Sequence, residues 1–154
     1  YNKKLYGVVS NMSIAVERRD FLKHFDCFIC NQLEAGMLFM EDYADKSPEE
    51  LRDILSKRVI LGKIPAMIVT MGGNGAVYAD VNGEKGICPP QRVRVKDTTG
   101  AGDAFCAGVA SGLTYGKTLS EAVEIGSRLA ASVITSSENV CPRFLPEEFG
   151  ITLD

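Results

Sequence analysis

Asp97-Thr98-Thr99-Gly100-Ala101-Gly102-Asp103-Ala104-Phe105 is the most informative segment of this 154-residue chain. The valine-containing run 92–95 before it predicts the end of a strand, and the small apolar residues of 104–113 predict a buried helix. A glycine-rich turn between a strand and a helix directs several backbone N–H groups at one point, where the helix dipole adds about half a positive charge. The segment therefore predicts an anion site, and phosphate is the usual occupant.

A carboxylate lies at the start of the predicted helix. Asp103 places a base beside the anion site, and this combination predicts phosphoryl transfer to a hydroxyl group whose proton Asp103 accepts. We expect the backbone N–H groups of Gly100, Ala101 and Gly102 to hold the phosphoryl oxygens, as an oxyanion hole does. The structural alternative is that Asp103 only caps its helix.

Two further motifs follow apolar runs earlier in the chain. Asn31-Gln32-Leu33-Glu34 comes directly after the run 27–30, and Thr70-Met71-Gly72-Gly73-Asn74-Gly75 begins at the end of the run 66–71. Together with 97–105, these motifs resemble the Asn-x-x-Glu, Thr-x-Gly-x-x-Gly and C-terminal signatures of the ribokinase-like (PfkB-type) sugar and nucleoside kinases, in the same order. The resemblance covers nearly the whole chain and corresponds to the C-terminal half of such kinases.

The resemblance implies a nucleotide site built from both upstream motifs. Asn31 and Glu34 would help to hold Mg²⁺, largely through water, together with the nucleotide phosphates. The residues expected to contact the nucleotide are Asn31, Thr70, Gly72, Gly73, Asn74, Gly75 and, in the adenine pocket, Ser127. Structural alternatives remain open, namely a capping box for 31–34, a hairpin turn for 73–75 and a helix–sheet contact for Ser127.

The resemblance also implies a monovalent-cation site behind the anion site. Asp97 and Thr99 match its positions, and further ligands would come from Val133 and the stretch 136–139. Glu138 stands where a small residue is common in the family, which argues against activation by potassium. The alternative is that Asp97 only braces the turn by accepting hydrogen bonds from backbone N–H groups.

Apolar runs alternate with helical patterns along the chain, which is typical of a layered α/β fold. We expect strands at 5–10, 27–30, 66–71, 75–79, 84–88 and 92–95, and helices at 16–25, 33–43, 48–61, 102–115 and 119–135. The Asn74-Gly75 dipeptide predicts a hairpin that joins the third and fourth strands. The resemblance implies a three-layer α/β/α ribokinase-like sheet, mostly parallel, with a C-terminal β-hairpin region.

We expect residues 1–154 to form one partial domain. It would be the C-terminal nucleotide-binding and catalytic part of such a kinase, without the N-terminal half that carries most substrate contacts and the lid. Loss of neighbouring strands leaves an unpaired sheet edge, which predicts a homodimer formed through that edge. We also expect the chain alone to be inactive.

Composition excludes several other classes of protein. A net charge of −3 without a basic stripe argues against nucleic acid as a partner. No apolar run approaches the roughly 20 residues that span a bilayer, and we expect no signal peptide from the first residues of the sequence. Five cysteines without framework spacing indicate reduced thiols and a cytoplasmic location. The segment 112–118 is one residue short of a P-loop and ends a predicted helix, so Gly116 is expected to be a helix C′ residue.

These features predict an ATP-dependent kinase that transfers the γ-phosphoryl group to a hydroxymethyl group of a sugar or nucleoside, with Asp103 as the base. The implied cofactors are ATP and Mg²⁺, and K⁺ is a further candidate against which Glu138 argues. The alternatives are a nucleotide-binding fragment without turnover and an interaction module that keeps only the fold. The presence of Asp103, Asn31 and Glu34 argues against the interaction module.

Overall fold

A computed structural model describes residues 3–9, 11–136 and 144–152 of the chain. The chain divides into two compact units, Tyr1–Pro89 and Pro90–Asp154. The first unit contains a β-sheet with its connecting helices, and the second contains a pair of long helices.

The first unit is built on a five-stranded sheet whose strands lie in the order of the chain. β1 (Tyr6–Val8), β2 (Cys27–Asn31) and β3 (Ala66–Thr70) are parallel to one another. β4 (Ala76–Asp80) pairs antiparallel with β3, and β5 (Lys85–Cys88) pairs antiparallel with β4. Four of these five strands therefore share one direction. The predicted α/β fold, with a mostly parallel sheet and a hairpin after β3, is confirmed.

The hydrophobic core of the first unit lies between the sheet and the connecting helices α2 (Gln32–Phe39) and α3 (Pro48–Gly62). Parallel strands added in one direction place their right-handed crossovers on the same face of a sheet. Alternate strand residues supply one wall of the core and apolar helix residues the other; they include Phe28, Met67, Val69 and Val77 from the strands and Leu38, Leu51, Leu55 and Val59 from the helices.

Helix α3 begins where the sequence predicts it, at a capping box. The N–H of Glu50 donates to the Ser47 hydroxyl (3.2 Å), and the N–H of Ser47 donates to the Glu50 carboxylate (2.9 Å). These bonds satisfy two N–H groups that a helix start leaves without partners. The Ser47 backbone N–H, followed by the Ser47 hydroxyl, also lowers the pKa of the Glu50 carboxyl below its ordinary value.

The helix predicted at 16–25 is wrong. Helix α1 spans Met12–Glu17, because Asn11 caps it by accepting a hydrogen bond from the Ser13 N–H (3.0 Å). Arg18 then leaves the helical region with φ −119° and ψ 40°, and a separate 3₁₀ turn follows at Arg19–His24. The apolar pattern that predicted one helix at 16–25 therefore belongs partly to α1 and partly to the 3₁₀ turn.

The helix predicted at 33–43 ends early, at Phe39. Met40 adopts a left-handed conformation (φ 57°), and the N–H of Glu41 donates to the Gly36 carbonyl (2.9 Å). A Cβ atom on Gly36 would lie 2.6 Å from the Glu41 carbonyl oxygen, so this return of the chain requires glycine.

The strand predicted at 92–95 is also wrong. The described residues of this stretch belong to no ladder, and Val93 and Val95 are 37% and 57% exposed. An alternating apolar pattern forms a strand only where a partner accepts its N–H groups.

The second unit contains α4 (Ala101–Thr114) and α5 (Leu119–Thr135), close to the predicted bounds. The two helices pack backbone to backbone, since a Cβ atom on Gly108 would lie 2.7 Å from the Cα of Gly126. Gly116 lies between them with φ 79°, which confirms its prediction as a helix C′ residue. None of the helices in the described residues is both long and apolar enough to cross a membrane.

Candidate active site

Two of the predicted motifs meet at one edge of the sheet. Asn31 is the last residue of β2 and Thr70 the last of β3, and the two residues are register partners in neighbouring parallel strands. In open α/β sheets, ligands bind outside the carboxyl ends of the strands. The fold of the first unit thus brings the motifs 31–34 and 70–75 side by side at the edge where a ligand is expected.

The Asn31-x-x-Glu34 motif closes the first turn of α2. The N–H of Glu34 donates to Oδ1 of Asn31 (2.9 Å), and the N–H of Asn31 donates to Oε2 of Glu34 (2.8 Å). The capping-box interpretation is therefore confirmed. Oε1 of Glu34 and the side-chain amide of Asn31 make no hydrogen bond to the described residues, so both remain available to a ligand.

These oxygen and amide groups fit magnesium held through water. Mg²⁺ keeps several water ligands and needs only one or two protein carboxylates. No group of three or more His, Cys, Asp or Glu side chains within 3–9, 11–136 and 144–152 could form a closed metal cage. The role of Glu34 toward Mg²⁺ stays a prediction.

The loop after β3 is a single 3₁₀ turn, Gly72–Asn74, followed by the reversal into β4. The hairpin interpretation of 73–75 is thus confirmed. Positive φ values of 55° and 87° explain the glycines at 72 and 75. Gly73 has no such requirement, and a Cβ atom there would meet nothing within 4 Å. Neither the backbone nor the packing of the described residues explains glycine at 73, and the loop offers a bare backbone surface.

In the second unit, Asp97 braces the turn before α4. Its Oδ1 accepts hydrogen bonds from the N–H (2.9 Å) and the hydroxyl (2.8 Å) of Thr99. The backbone bond to Thr99, followed by the bond from its hydroxyl, lowers the pKa of Asp97 below its ordinary value. The bracing interpretation is confirmed, and the carboxylate is anionic at neutral pH.

The end of α5 holds the same turn. The N–H groups of Lys96 and Asp97 donate to the Ile134 carbonyl at 2.8 and 3.5 Å. No sequence motif predicts that the Ile134 carbonyl accepts these hydrogen bonds, because every residue has a backbone carbonyl. Of the predicted cation ligands, Val133 is buried, and residues 137–139, including Glu138, lie outside the described residues.

The first turn of α4 is left open. Gly100 is the N-cap, with φ 83°, and no side chain caps the helix. The Ala101 N–H donates to the Thr98 carbonyl (3.2 Å), whereas the N–H groups of Gly100, Gly102 and Asp103 have no acceptor in the part of the chain that the structure describes. The donors available to an anion therefore include Gly100 and Gly102, as predicted, and Asp103 in place of Ala101.

Asp103 lies exposed at the third position of this helix. Its carboxylate makes no capping hydrogen bond, so the alternative in which Asp103 only caps α4 is wrong. Gly102 has an ordinary helical φ, and a Cβ atom on it would meet nothing within 4 Å. The N–H groups without acceptors and the Asp103 carboxylate thus lie together in the first turn of α4, with open space at Gly102.

The predicted site residues are brought together in two sets, one in each unit. The first set is Asn31, Glu34, Thr70, Gly72, Gly73, Asn74 and Gly75, and the second is Asp97, Thr99, Gly100, Ala101, Gly102, Asp103 and Ser127. Ser127 is half-buried on α5, next to the Gly126 contact with α4. Its role in an adenine pocket stays a prediction.

Sequence reasoning passed over Gln32, which lies inside the first motif. Its side-chain amide donates to the carbonyls of Tyr43, Ala44 and Lys46. The acceptors lie 11 to 14 residues further along the chain, and no local pattern connects them with Gln32.

Comparison with known proteins identifies relatives of this chain. The chain matches the family model of pfkB family carbohydrate kinases over residues 2–142. It is 38% identical over 138 residues to guanosine-inosine kinase from Exiguobacterium acetylicum, which covers 88% of this chain and 44% of that protein.

Solved structures show the same fold. A probable sugar kinase from Rhizobium etli matches with a TM-score of 0.75 and 26% identity, over 98% of this chain and 46% of that one. Ribokinase from Thermotoga maritima matches with a TM-score of 0.68 and 24% identity, over 90% of this chain and 45% of that one. This chain spans less than half the length of these relatives. Because the family model matches most of its residues, the chain belongs to the pfkB family of carbohydrate kinases.

Proposed function

We propose that this chain supplies the nucleotide-binding and phosphoryl-transfer part of an ATP-dependent kinase that phosphorylates a hydroxymethyl group of a sugar or nucleoside. The observation that carries the proposal is the first turn of α4. Its N–H groups at Gly100, Gly102 and Asp103 lack acceptors among the described residues, and the Asp103 carboxylate lies beside them without a capping role.

At this helix start, we expect the backbone and the side chain of Asp103 to have different chemical roles. The open N–H groups and the helix dipole stabilise negative charge on the phosphoryl oxygens. Asp103 accepts the proton of the attacking hydroxyl group. A carboxylate is a weak base but is sufficient here, because the transition state of phosphoryl transfer is loose and positioning supplies most of the acceleration.

The motifs at the sheet edge would hold the nucleotide. Glu34 and Asn31 present a free carboxylate oxygen and a free amide next to Thr70, and the bare loop 72–75 allows the close approach of phosphates. When bound, Mg²⁺ would neutralise charge on the nucleotide phosphates. Asp97 acts behind the anion site by holding the turn in shape, and a cation there would meet an anionic carboxylate.

The 38% identity to a guanosine-inosine kinase favours a purine nucleoside as acceptor, with its 5′-hydroxymethyl as the reacting group. We propose that residues 1–154 correspond to the C-terminal, nucleotide-binding part of the longer relatives. β1 and β5 are the outer strands of the described sheet, and pairing of such an edge with a second copy is the proposed route to a homodimer.

The substitution Asp103→Asn tests the proposed base, in a preparation of the protein that turns over ATP with guanosine, inosine or ribose as acceptor. Turnover should fall about 10²- to 10⁴-fold, the usual contribution of a general base. Mg·ATP affinity should remain, because the backbone N–H groups are kept. Asp20→Asn, at a surface carboxylate paired with Arg18, is the matched control and should leave turnover unchanged.

Unchanged turnover in Asp103→Asn would rule out Asp103 as the base. Saturable Mg·ATP binding by the wild-type protein without turnover on any acceptor would favour the nucleotide-binding fragment without catalysis.

A further inference from the structure

Gln32 is the first residue of α2, between the two residues of its capping box. Its Nε2 atom donates to three backbone carbonyls of the segment 43–46. The nearest is that of Tyr43, followed by Ala44 at 3.3 Å and Lys46 at 3.4 Å. The side chain therefore joins the first turn of α2 to a segment that follows the end of that helix.

The three neighbours fix the chemical role of the Gln32 amide. Carbonyl oxygens only accept hydrogen bonds, so the group that faces them must be the NH₂ end of the amide and not its oxygen. The two N–H bonds of the Gln32 amide are shared among three carbonyl oxygens. The positive end of the amide dipole therefore faces the negative ends of three carbonyl dipoles. An acceptor at this position would be repelled.

The same segment is attached to α2 at a second point, nearer the helix end. The Glu41 N–H donates to the Gly36 carbonyl at 2.9 Å, and the Glu41 carbonyl oxygen would lie 2.6 Å from a Cβ atom on Gly36. An ion pair between Glu41 and Arg58 connects this point to α3. The segment 41–46 thus lies along α2 from its last turn to its first, and Gln32 makes the attachment at the first turn.

We propose that Gln32 is a positioning residue that holds the first turn of α2 in place, and with it the free groups of Asn31 and Glu34. The inference rests on the proposed function of that pair toward Mg·ATP. The helix has only eight residues, and its outer residues Leu33 and Met37 are 66% and 47% exposed. The other attachments of α2 lie toward its end, where the Arg19 guanidinium donates to the Leu38 carbonyl (3.0 Å) and the Glu41 N–H donates to the Gly36 carbonyl. Gln32 makes the attachment at the first turn.

Three variants at this position separate a hydrogen-bonding role from one of volume. Gln32→Met keeps the length and removes the donors, Gln32→Ala removes the side chain, and Gln32→Lys restores donors through an ammonium group with three N–H bonds. Leu33→Met, at the exposed neighbour in the same turn, is the matched control.

Mg·ATP binding to the chain is measured by calorimetric titration at several Mg²⁺ concentrations, with amide hydrogen exchange of Asn31 and Glu34 as a second readout. Gln32→Met and Gln32→Ala should weaken Mg·ATP binding about tenfold, as loss of a group that orients metal ligands does. The weakening should shrink as Mg²⁺ rises, and exchange at both amides should become faster. Gln32→Lys and Leu33→Met should keep most of the wild-type affinity.

Wild-type affinity in Gln32→Ala would overturn the inference, and so would an equal loss in Gln32→Lys and Gln32→Ala. If Gln32→Met does not fold, Gln32→Ala carries the test. A folded wild-type chain that binds no Mg·ATP would contradict the proposed function instead. In that case the exchange rates of Asn31 and Glu34 still decide the positioning role, and rates unchanged in Gln32→Ala would refute it.

Discussion

The helices of this chain differ at their first turns. α2, α3 and α5 each begin with a capping box, in which a side chain at the N-cap and a glutamate three residues later satisfy backbone N–H groups. α1 begins with the Asn11 cap. α4 begins with Gly100, and no side chain caps it.

The open start of α4 is costly for the fold. Relative to a glycine N-cap, a side-chain cap stabilises a helix by about a few tenths of a kcal/mol, and a glycine inside a helix costs about 0.5–1 kcal/mol relative to alanine. α4 lacks the first and has Gly102 in its first turn, although a Cβ atom there would meet nothing. Closed helix starts stabilise the fold, whereas the open one leaves N–H groups and space that the proposed function assigns to an anion.

Among the glycines of the second unit, Gly102→Ala should change turnover most while leaving the free energy of unfolding almost unchanged. The added methyl group has room in the fold, so the free energy of unfolding should stay the same or rise by up to about 1 kcal/mol. The proposed function places the phosphoryl group beside Gly102, so the added methyl group should displace it, and displacement of reacting groups by about 1 Å can cost about 10²-fold in rate. Turnover and urea unfolding of the same preparation measure the two effects.

Gly126→Ala is the matched control for this comparison. A Cβ atom at 126 would lie 2.7 Å from the Phe105 carbonyl, so the same chemical change should destabilise the protein by about 1–3 kcal/mol. If Gly102→Ala proved as destabilising as Gly126→Ala, or left turnover intact, the open space at Gly102 would have no functional meaning.

A comparison of Asn31→Ala with Ser47→Ala tests whether one capped helix start, that of α2, also contributes to nucleotide binding. Each removes one N-cap side chain, of α2 or of α3, and each should lower the free energy of unfolding by about 1 kcal/mol. Only Asn31→Ala should also weaken Mg·ATP binding, by about tenfold, because only Asn31 lies at the sheet edge beside Thr70. Thermal unfolding and Mg·ATP titration of both variants provide the measurements, and equal binding by the two would remove Asn31 from the nucleotide site.

Some elements could be predicted from sequence because their signals are local. The starts of α3 and α5 are marked in the sequence by Ser47-Pro48 and Thr118. Ser47 and Thr118 each form a capping box with the glutamate three residues later. The apolar run 66–71 and the Asn74-Gly75 turn likewise predict β3 and its hairpin. Such signals act within one turn of the chain, so they can be recognised without knowledge of the fold.

The remaining features depend on contacts that the sequence does not display. Met40 ends α2 in a left-handed conformation without the glycine that usually marks such an end. The run 92–95 has the alternation of a strand, but the described residues offer it no ladder. The open donors of α4 include Asp103 and not Ala101, because the Thr98 carbonyl happens to accept the Ala101 N–H.

The central claim is that the open first turn of α4 binds the anion, and the closed first turn of α3 provides an internal reference. Titration of Mg·ATP into the ¹⁵N-labelled chain, followed by NMR, compares the amides of Gly102 and Asp103 with those of Glu49 and Glu50 at the same helix positions of α3. The claim predicts saturable shifts of the Gly102 and Asp103 signals, with Glu49 and Glu50 unmoved. Saturable binding that leaves Gly102 and Asp103 unmoved, or a folded chain that does not bind Mg·ATP, would contradict it.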